Sequence, residues 1–145
     1  MYESLQQMQE ICETDNKAFW ELVMEEEANE KQNSHEEVFE MMRSMYRAMV
    51  QADENYEDRR SASQMTGGAG ELMAKWNRDE KTLSGPFLGQ VMERALKMAE
   101  SNACMKRIVA APTAGSCGVL PAVMITCQKL EKCPEDEIVK ALFVA

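Results

Sequence analysis

Apolar residues recur at intervals of three and four along almost the whole of this chain, and nowhere do they alternate long enough to build a sheet. Leu5, Met8, Ile11 and Cys12 form one cluster, and Phe19, Leu22 and Val23 a second. Thr14 or Asp15 is placed to cap a new helix between them. Ser34 opens the run Ser-His-Glu-Glu, so Glu37 falls three residues later, the spacing of a reciprocal capping box. Val38, Met41, Met42, Met45 and Met49 follow as one stripe, expected to pack into a core. Ile108-Val109 is the only plausible strand, and it is too short to anchor a sheet. The spacing predicts an all-α, multi-helix domain.

The chain has 145 residues, enough for one domain with a core of its own. Its charge is uneven: a net of −10 over residues 1–60 and +1 over residues 61–145. A net of −9 argues against nucleic-acid binding, which needs a basic face. No apolar run approaches the roughly 18–20 residues of a membrane span. The first ten residues, MYESLQQMQE, lack the basic flank and apolar stretch of a signal peptide, which points to a cytoplasmic location. The five cysteines are odd in number, contain no Cys-x-x-Cys pair and match no zinc framework, so reduced, packed thiols are expected. His35, the one histidine, falls in the first turn of an acidic helix and is expected to be exposed.

The texture changes near residue 60. Residues 1–58 read as an acidic helical segment, and 59–145 as a glycine-loop and helix segment of the same domain. Thr66-Gly67-Gly68-Ala-Gly70 ends a small-residue loop that runs into helical spacing at Leu72, Met73 and Trp76. Ser84-Gly-Pro86 starts a helix with a capping serine and an early proline. That helix should carry Phe87, Val91, Ala95 and Met98 on one face and run to about Asn102. Pro112-Thr113-Ala114-Gly115-Ser116-Cys117-Gly118 is a second small-residue loop, followed by a helix over 119–130 that tolerates Pro121 in its first turn. Pro134 reads as the first residue of one more helix. The apolar end, Leu142-Phe143-Val144, suggests a truncated part of a larger helical catalytic domain, with a surface that invites self-association into a homo-oligomer.

The two loops are where chemistry is expected. Loop glycines let a backbone approach a ligand, and free N–H groups at a helix N-terminus receive an anion. Thr66, Thr113 and Ser116 would add hydroxyls to a site for a small carboxylate or phosphate. No Gly-Lys-Ser/Thr follows, so neither loop is a Walker loop, and no strand precedes, so neither is a dinucleotide fingerprint. Two tight turns between helices remain the plain alternative. If the loops form one site, their tips must meet although about 45 residues separate them in sequence.

Four blocks carry a resemblance: Met65-Thr66-Gly67-Gly68, Lys81-Thr-Leu-Ser84-Gly85-Pro86-Phe87-Leu88, Glu100-Ser-Asn102-Ala103, and the stretch from Arg107 to Pro121 around Pro112-Thr113-Ala114-Gly115-Ser116. In order and spacing they resemble the alpha chain of iron–sulfur L-serine dehydratases. The resemblance implies a lyase that converts L-serine to pyruvate and ammonia. It implies a [4Fe–4S] cluster acting as Lewis acid, held by cysteines beyond this stretch, with none bound by this chain. It implies partners: the rest of the alpha chain, and a beta chain or domain. It also implies that this chain alone is inactive. Carried over residue by residue, Thr66, Gly67 and Gly68 would form one wall of the serine site. Pro112, Thr113, Ala114, Gly115 and Ser116 would form another, with Ser84 and Asn102 as further candidates.

The family's Ser-Ser-His-Thr motif is absent here, and Asn33-Ser34-His35-Glu36 does not replace it. Cys117 stands where the family has small residues and is the one weak candidate for metal contact. Two other readings stay open. A non-catalytic helical module could bind a partner through its methionine stripe. A pyridoxal-phosphate dehydratase fragment would need a Schiff-base lysine in a phosphate-loop context, which Lys75 and Lys81 lack.

Overall fold

A computed structural model describes residues 2, 4–79, 83–111 and 113–145. Among these residues there are helices and no strands: α1 (Leu5–Asp15), α2 (Phe19–Lys31), α3 (His35–Glu54), α4 (Ala69–Arg78), α5 (Gly85–Ala103), a 3-10 turn at Ala114–Ser116, α6 (Val119–Glu131) and α7 (Glu135–Leu142). The chain divides into two compact units, residues 1–44 with 134–145, and residues 45–133. α3 lends its first half to one and its second half to the other, and the change of texture near residue 58 falls inside the second unit.

The helix ends follow local chemistry. At the start of α3, Ser34 N–H donates to the Glu37 carboxylate at 2.8 Å, and Glu37 N–H donates back to Ser34 Oγ at 3.2 Å. The Ser34 backbone and hydroxyl hold the Glu37 carboxyl below its ordinary pKa. Neither Thr14 nor Asp15 caps α2. Thr14 Oγ1 donates back to Glu10 O at 2.8 Å, and α1 continues through Asp15 to a left-handed Asn16. The cap of α2 is Ala18, whose N–H donates to Glu21 Oε2 at 2.7 Å. Pro134 precedes α7 by one residue, with extended ψ.

In the first unit, Met24 and Ala28 of α2, Val38 of α3, and Val139 and Phe143 close one core, with Trp20, Val23, Phe39 and Met42 around it. Phe39 meets the edge of Trp20 at 6.3 Å and stacks on Phe143 at 6.2 Å. Arg43 covers Phe39 at 5.0 Å and donates to Asp136 at 2.7 Å, which fastens the acidic first turn of α7. The apolar chain end is therefore spent inside this unit. Leu142 and Phe143 are buried, and of the three residues expected to seek a partner only Val144 is exposed.

The methionine stripe of α3 needs the same kind of correction. Val38, Tyr46 and Met49 are almost fully buried, whereas Met41 and Met45 are 42% and 45% exposed. Phe39 and Tyr46 lie on the other flank of the stripe, and packing these aromatic rings turns the buried face away from Met41 and Met45.

The second unit is built around α5. Asn77 of α4 donates to Gly89 O at 3.0 Å and to Glu93 at 2.7 Å, while Ala69 at the other end of α4 donates to Glu100. α4 therefore runs antiparallel to α5 along a face made of Gly89, Glu93, Lys97 and Glu100. At about 100° per residue, Val91, Ala95, Met98 and Asn102 lie on the opposite face. That face takes α6: a Cβ on Gly118 would stand 2.9 Å from Ala95 O, so only glycine permits this approach. Cys117 packs there with Met98 and Ala52. A third side takes α3, through an ion pair of Asp53 with Arg94 and a 3.8 Å approach of Lys129. Burial raises the Asp53 carboxyl pKa, against the pull of both cations. The fourth side is open. Leu88, Met92 and Leu96 form an uncharged stripe along α5, each 36–48% exposed. By helical phase, Trp76 of α4 and Val119 and Val123 of α6, also exposed, flank that stripe on the side away from α3.

The role given to Phe143 is directly measurable. Phe143→Ala should destabilise the protein by about 3–5 kcal/mol, as loss of a core ring does. Val144→Ala should stay within about 0.5 kcal/mol. Urea denaturation of the two variants checks the difference.

Candidate functional site

The first loop is closed on Ser61, which is 5% exposed. Its N–H donates to Thr66 O at 2.8 Å, and its Oγ accepts from Thr66 N–H at 3.3 Å. Thr66 thus holds the loop through its backbone, and its side chain is exposed. Gly67 has φ +138°, and a Cβ there would lie 2.8 Å from Arg60 Cα, so the crossing of 59–60 by 67 requires glycine. Gly68, also at positive φ, leads into α4.

At that helix start the expected anion site is already filled from within. Glu100, 4% exposed, presents Oε1 to Ala69 N–H at 2.6 Å and Gly70 N–H at 3.2 Å. Its Oε2 accepts from Tyr56 Oη at 2.7 Å. A buried carboxylate paired with a helix N-terminus is a stabilising arrangement. Burial, and then the bond to Glu100, push the Tyr56 phenol far above its ordinary pKa, so it remains a donor. Neither residue is among the site candidates drawn from the sequence, although Glu100 opens one of the four matched blocks. The one available signal was an acidic residue in the small, otherwise uncharged run Ala99-Glu100-Ser101-Asn102-Ala103.

The second loop turns on a reciprocal pair. Thr113 Oγ1 accepts from Ser116 N–H at 3.3 Å, Ser116 Oγ accepts from Thr113 N–H at 3.4 Å, and the two hydroxyls are 3.1 Å apart. The hydroxyls expected to face a ligand thus cap the 3-10 turn that carries Ala114 and Gly115. Asn102 Nδ2 donates to Ala114 O at 3.4 Å and ties this turn to α5. Pro112 lies outside the described residues, as does Lys81.

Both loops therefore hang from the last turn of α5, the first through Glu100 and the second through Asn102. Their roots meet: the Cys104 thiol donates to Arg59 O at 3.7 Å, and Lys106 pairs with Glu57 at 2.9 Å. Their tips do not share a hydrogen bond among the described residues. Glu100 and Asn102 are two residues apart, about 200° around the helix, so Thr66–Gly68 and Thr113–Ser116 lie on opposite flanks of its end. Ser84 belongs to neither. It stands at the other end of α5, about 27 Å from Asn102 at 1.5 Å per residue, and its side chain makes no cap hydrogen bond. Beside the first loop, Arg59, Arg60, Ala62, Ala103, Cys104 and Met105 line a cleft of about 290 Å³. Arg59 pairs there with Glu57 at 3.9 Å, and Arg60 Nη1 donates to Gln64 O at 3.4 Å.

Cys104 borders the cleft beside the first loop, but no second cysteine joins it in that lining. Cys117 is buried in the core of the second unit, where desolvation raises its thiol pKa, so it does not face the loop. Among the described residues no three His, Cys, Asp or Glu side chains come together to hold a metal. The described residues do not bring together a ligand set that fits an iron–sulfur cluster. No helix of the described residues is long and apolar enough to cross a membrane.

Glu100 can be tested apart from catalysis. Glu100→Ala strands two N–H groups and a phenol, and should cost about 2–3 kcal/mol or more, since the lost bonds involve a charged group. Glu100→Gln keeps an acceptor and should cost less. Thermal denaturation, with limited proteolysis across residues 57–68, checks both.

A family profile described as serine dehydratase alpha chain matches residues 14–145. The probable L-serine dehydratase alpha chain of Bacillus subtilis (strain 168) is 27% identical over 148 residues, covering 100% of this chain and 49% of the relative. The L-serine dehydratase alpha chain of Peptoniphilus asaccharolyticus is 28% identical over 127 residues, covering 86% of this chain and 44% of the relative. The chain thus spans about half the length of the curated relatives it matches. No solved structure gives a significant match. With the profile covering nearly all of its length, this chain belongs to the serine dehydratase alpha-chain family.

Proposed function

We propose that this chain is the part of an L-serine ammonia-lyase that shapes the carboxylate end of the serine site. The reading rests on family membership, and the observation that carries it is the anchoring of both glycine-containing loops on the last turn of α5. In the reaction proposed, serine loses its α-proton and its hydroxide to give aminoacrylate, which hydrolyses to pyruvate and ammonia. This chain's share is to bind and orient. The cleft beside the first loop supplies Arg59 and Arg60 for the carboxylate, with Thr66, Gly67 and Gly68 as its wall. The turn Thr113–Ser116, made rigid by its own hydroxyls, does not meet the first loop; it is a second, bracing wall that holds the end of α5 from the other flank through the Asn102–Ala114 bond. A [4Fe–4S] cluster, if the enzyme is of the iron–sulfur type, is held by residues outside this chain.

The open side of α4, α5 and α6 supports a second part of the reading. An uncharged stripe about two turns long, beside Trp76, Val119 and Val123, needs an apolar cover. The relatives have about as much chain again as is present here. The cover proposed is that other half of the alpha chain, with the beta chain or domain completing the enzyme.

Steady-state kinetics of L-serine turnover by an active assembly containing this chain test the site. The double change Arg59→Ala with Arg60→Ala should raise KM tenfold or more, as loss of a charge-assisted bond worth about 1.5–3 kcal/mol does, with a smaller effect on kcat. Thr113→Val should do the same by loosening the second wall, and Thr113→Ser should restore KM. Unchanged KM in both would move the carboxylate elsewhere. Met92→Lys with Leu96→Lys should leave the fold of this chain intact and abolish co-purification with the other half. Normal assembly of that variant would remove the docking proposal.

A further inference from the structure

The chain's last helix turn before the second unit ends carries a feature the serine site does not use. Cys127, in the final turns of α6, and Cys133, two residues past its end, bring their Sγ atoms to 3.4 Å, within thiol hydrogen-bond range. Lys132 between them adopts φ +56°, the left-handed turn that folds the chain back along the helix and sets the two sulfurs side by side. Both cysteines are half-buried and both are free, so they are accessible to a small reagent without being core residues. No acid or histidine joins them in a metal-holding group among the described residues. Two thiols in contact need little movement to close a bond of about 2.05 Å.

We propose that Cys127 and Cys133 form a thiol–disulfide exchange site that takes a low-molecular-weight disulfide and closes to a reversible intramolecular disulfide. One cysteine, as thiolate, attacks a sulfur of the small disulfide; its S–S bond breaks and one small thiol leaves. The second cysteine, as thiolate, attacks the protein sulfur of the mixed disulfide; the Cys127–Cys133 bond forms and the second small thiol leaves. The two protons lost by the cysteines are taken up by the two departing thiolates. Two electrons pass from the pair to the small disulfide. The hydrogen bond to Cys133 and burial hold the Cys127 thiol above its ordinary pKa. The bridge would close the short loop at the point where the chain leaves the second unit for α7.

The whole chain, equilibrated in graded mixtures of reduced and oxidised glutathione and then denatured under acid, tests this by thiol titration and peptide mapping. Reactive thiols should fall from five to three as a single step, with one bridge mapping to Cys127 and Cys133 and Cys12, Cys104 and Cys117 still free. Dithiothreitol should restore all five. In Cys127→Ser the intramolecular bridge should vanish, and Cys133 should stop at the glutathione mixed disulfide. Either of two results overturns the proposal: glutathione mixed disulfides on both Cys127 and Cys133 with no bridge, or a bridge that forms between other cysteines first. Unchanged helicity by circular dichroism in Cys127→Ser keeps the variant interpretable.

Discussion

Everything near the candidate site depends on one buried carboxylate. Glu100 is almost wholly withdrawn from water and is stable there because two backbone N–H groups and a phenol take its lone pairs. That single side chain fixes the start of α4, the register of α4 along α5, and the position of Tyr56 at the root of the first loop. Ser61 then closes the loop, and Gly67 lets it pass over Arg60. The same turn of α5 holds the second loop through Asn102. A glycine-rich loop running into a helix is usually read as a receptor for an external anion. Here the protein fills that receptor itself, while Arg59, paired with Glu57 at 3.9 Å, and Arg60, which donates to Gln64 O at 3.4 Å, line the cleft beside the loop.

Close approach on α5 does the rest. Gly70 on one face and Gly118 on the other bring α4 and α6 against its backbone, and a methyl group at either would collide with Lys97 or with Ala95 O. With α3 on a third side, the loops cannot drift from the end of α5 without moving the helices that carry them. The open fourth side leaves Leu88, Met92 and Leu96 without cover.

What could be read from the sequence was what short range decides. The Ser34–Glu37 box, the extent of α5 and the all-helical class follow from residues three and four apart. The Thr113–Ser116 pair has the same range, and a cap and a ligand want the same hydroxyls, so sequence alone does not separate the two uses. Glu100 was hidden because its partners lie about 30 and 44 residues away. Met41 and Met45 stay exposed because aromatic packing at Phe39 and Tyr46 chooses which flank of α3 to bury. Phe143 looked unpartnered because its partner, Phe39, is on a helix more than a hundred residues earlier. Ser84 shares a sequence block with the family but stands a whole helix away from the loops.

The claim that joins these observations is that this chain contributes an indispensable half of a serine-deaminating site. Pyruvate formation from L-serine measures it most directly, using this chain combined with the other half of the alpha chain and the beta chain, each omitted in turn. The account predicts turnover by the complete assembly and none when this chain is left out or supplied alone. Turnover that persists without this chain, or a complete and properly assembled complex that makes no pyruvate, would contradict it.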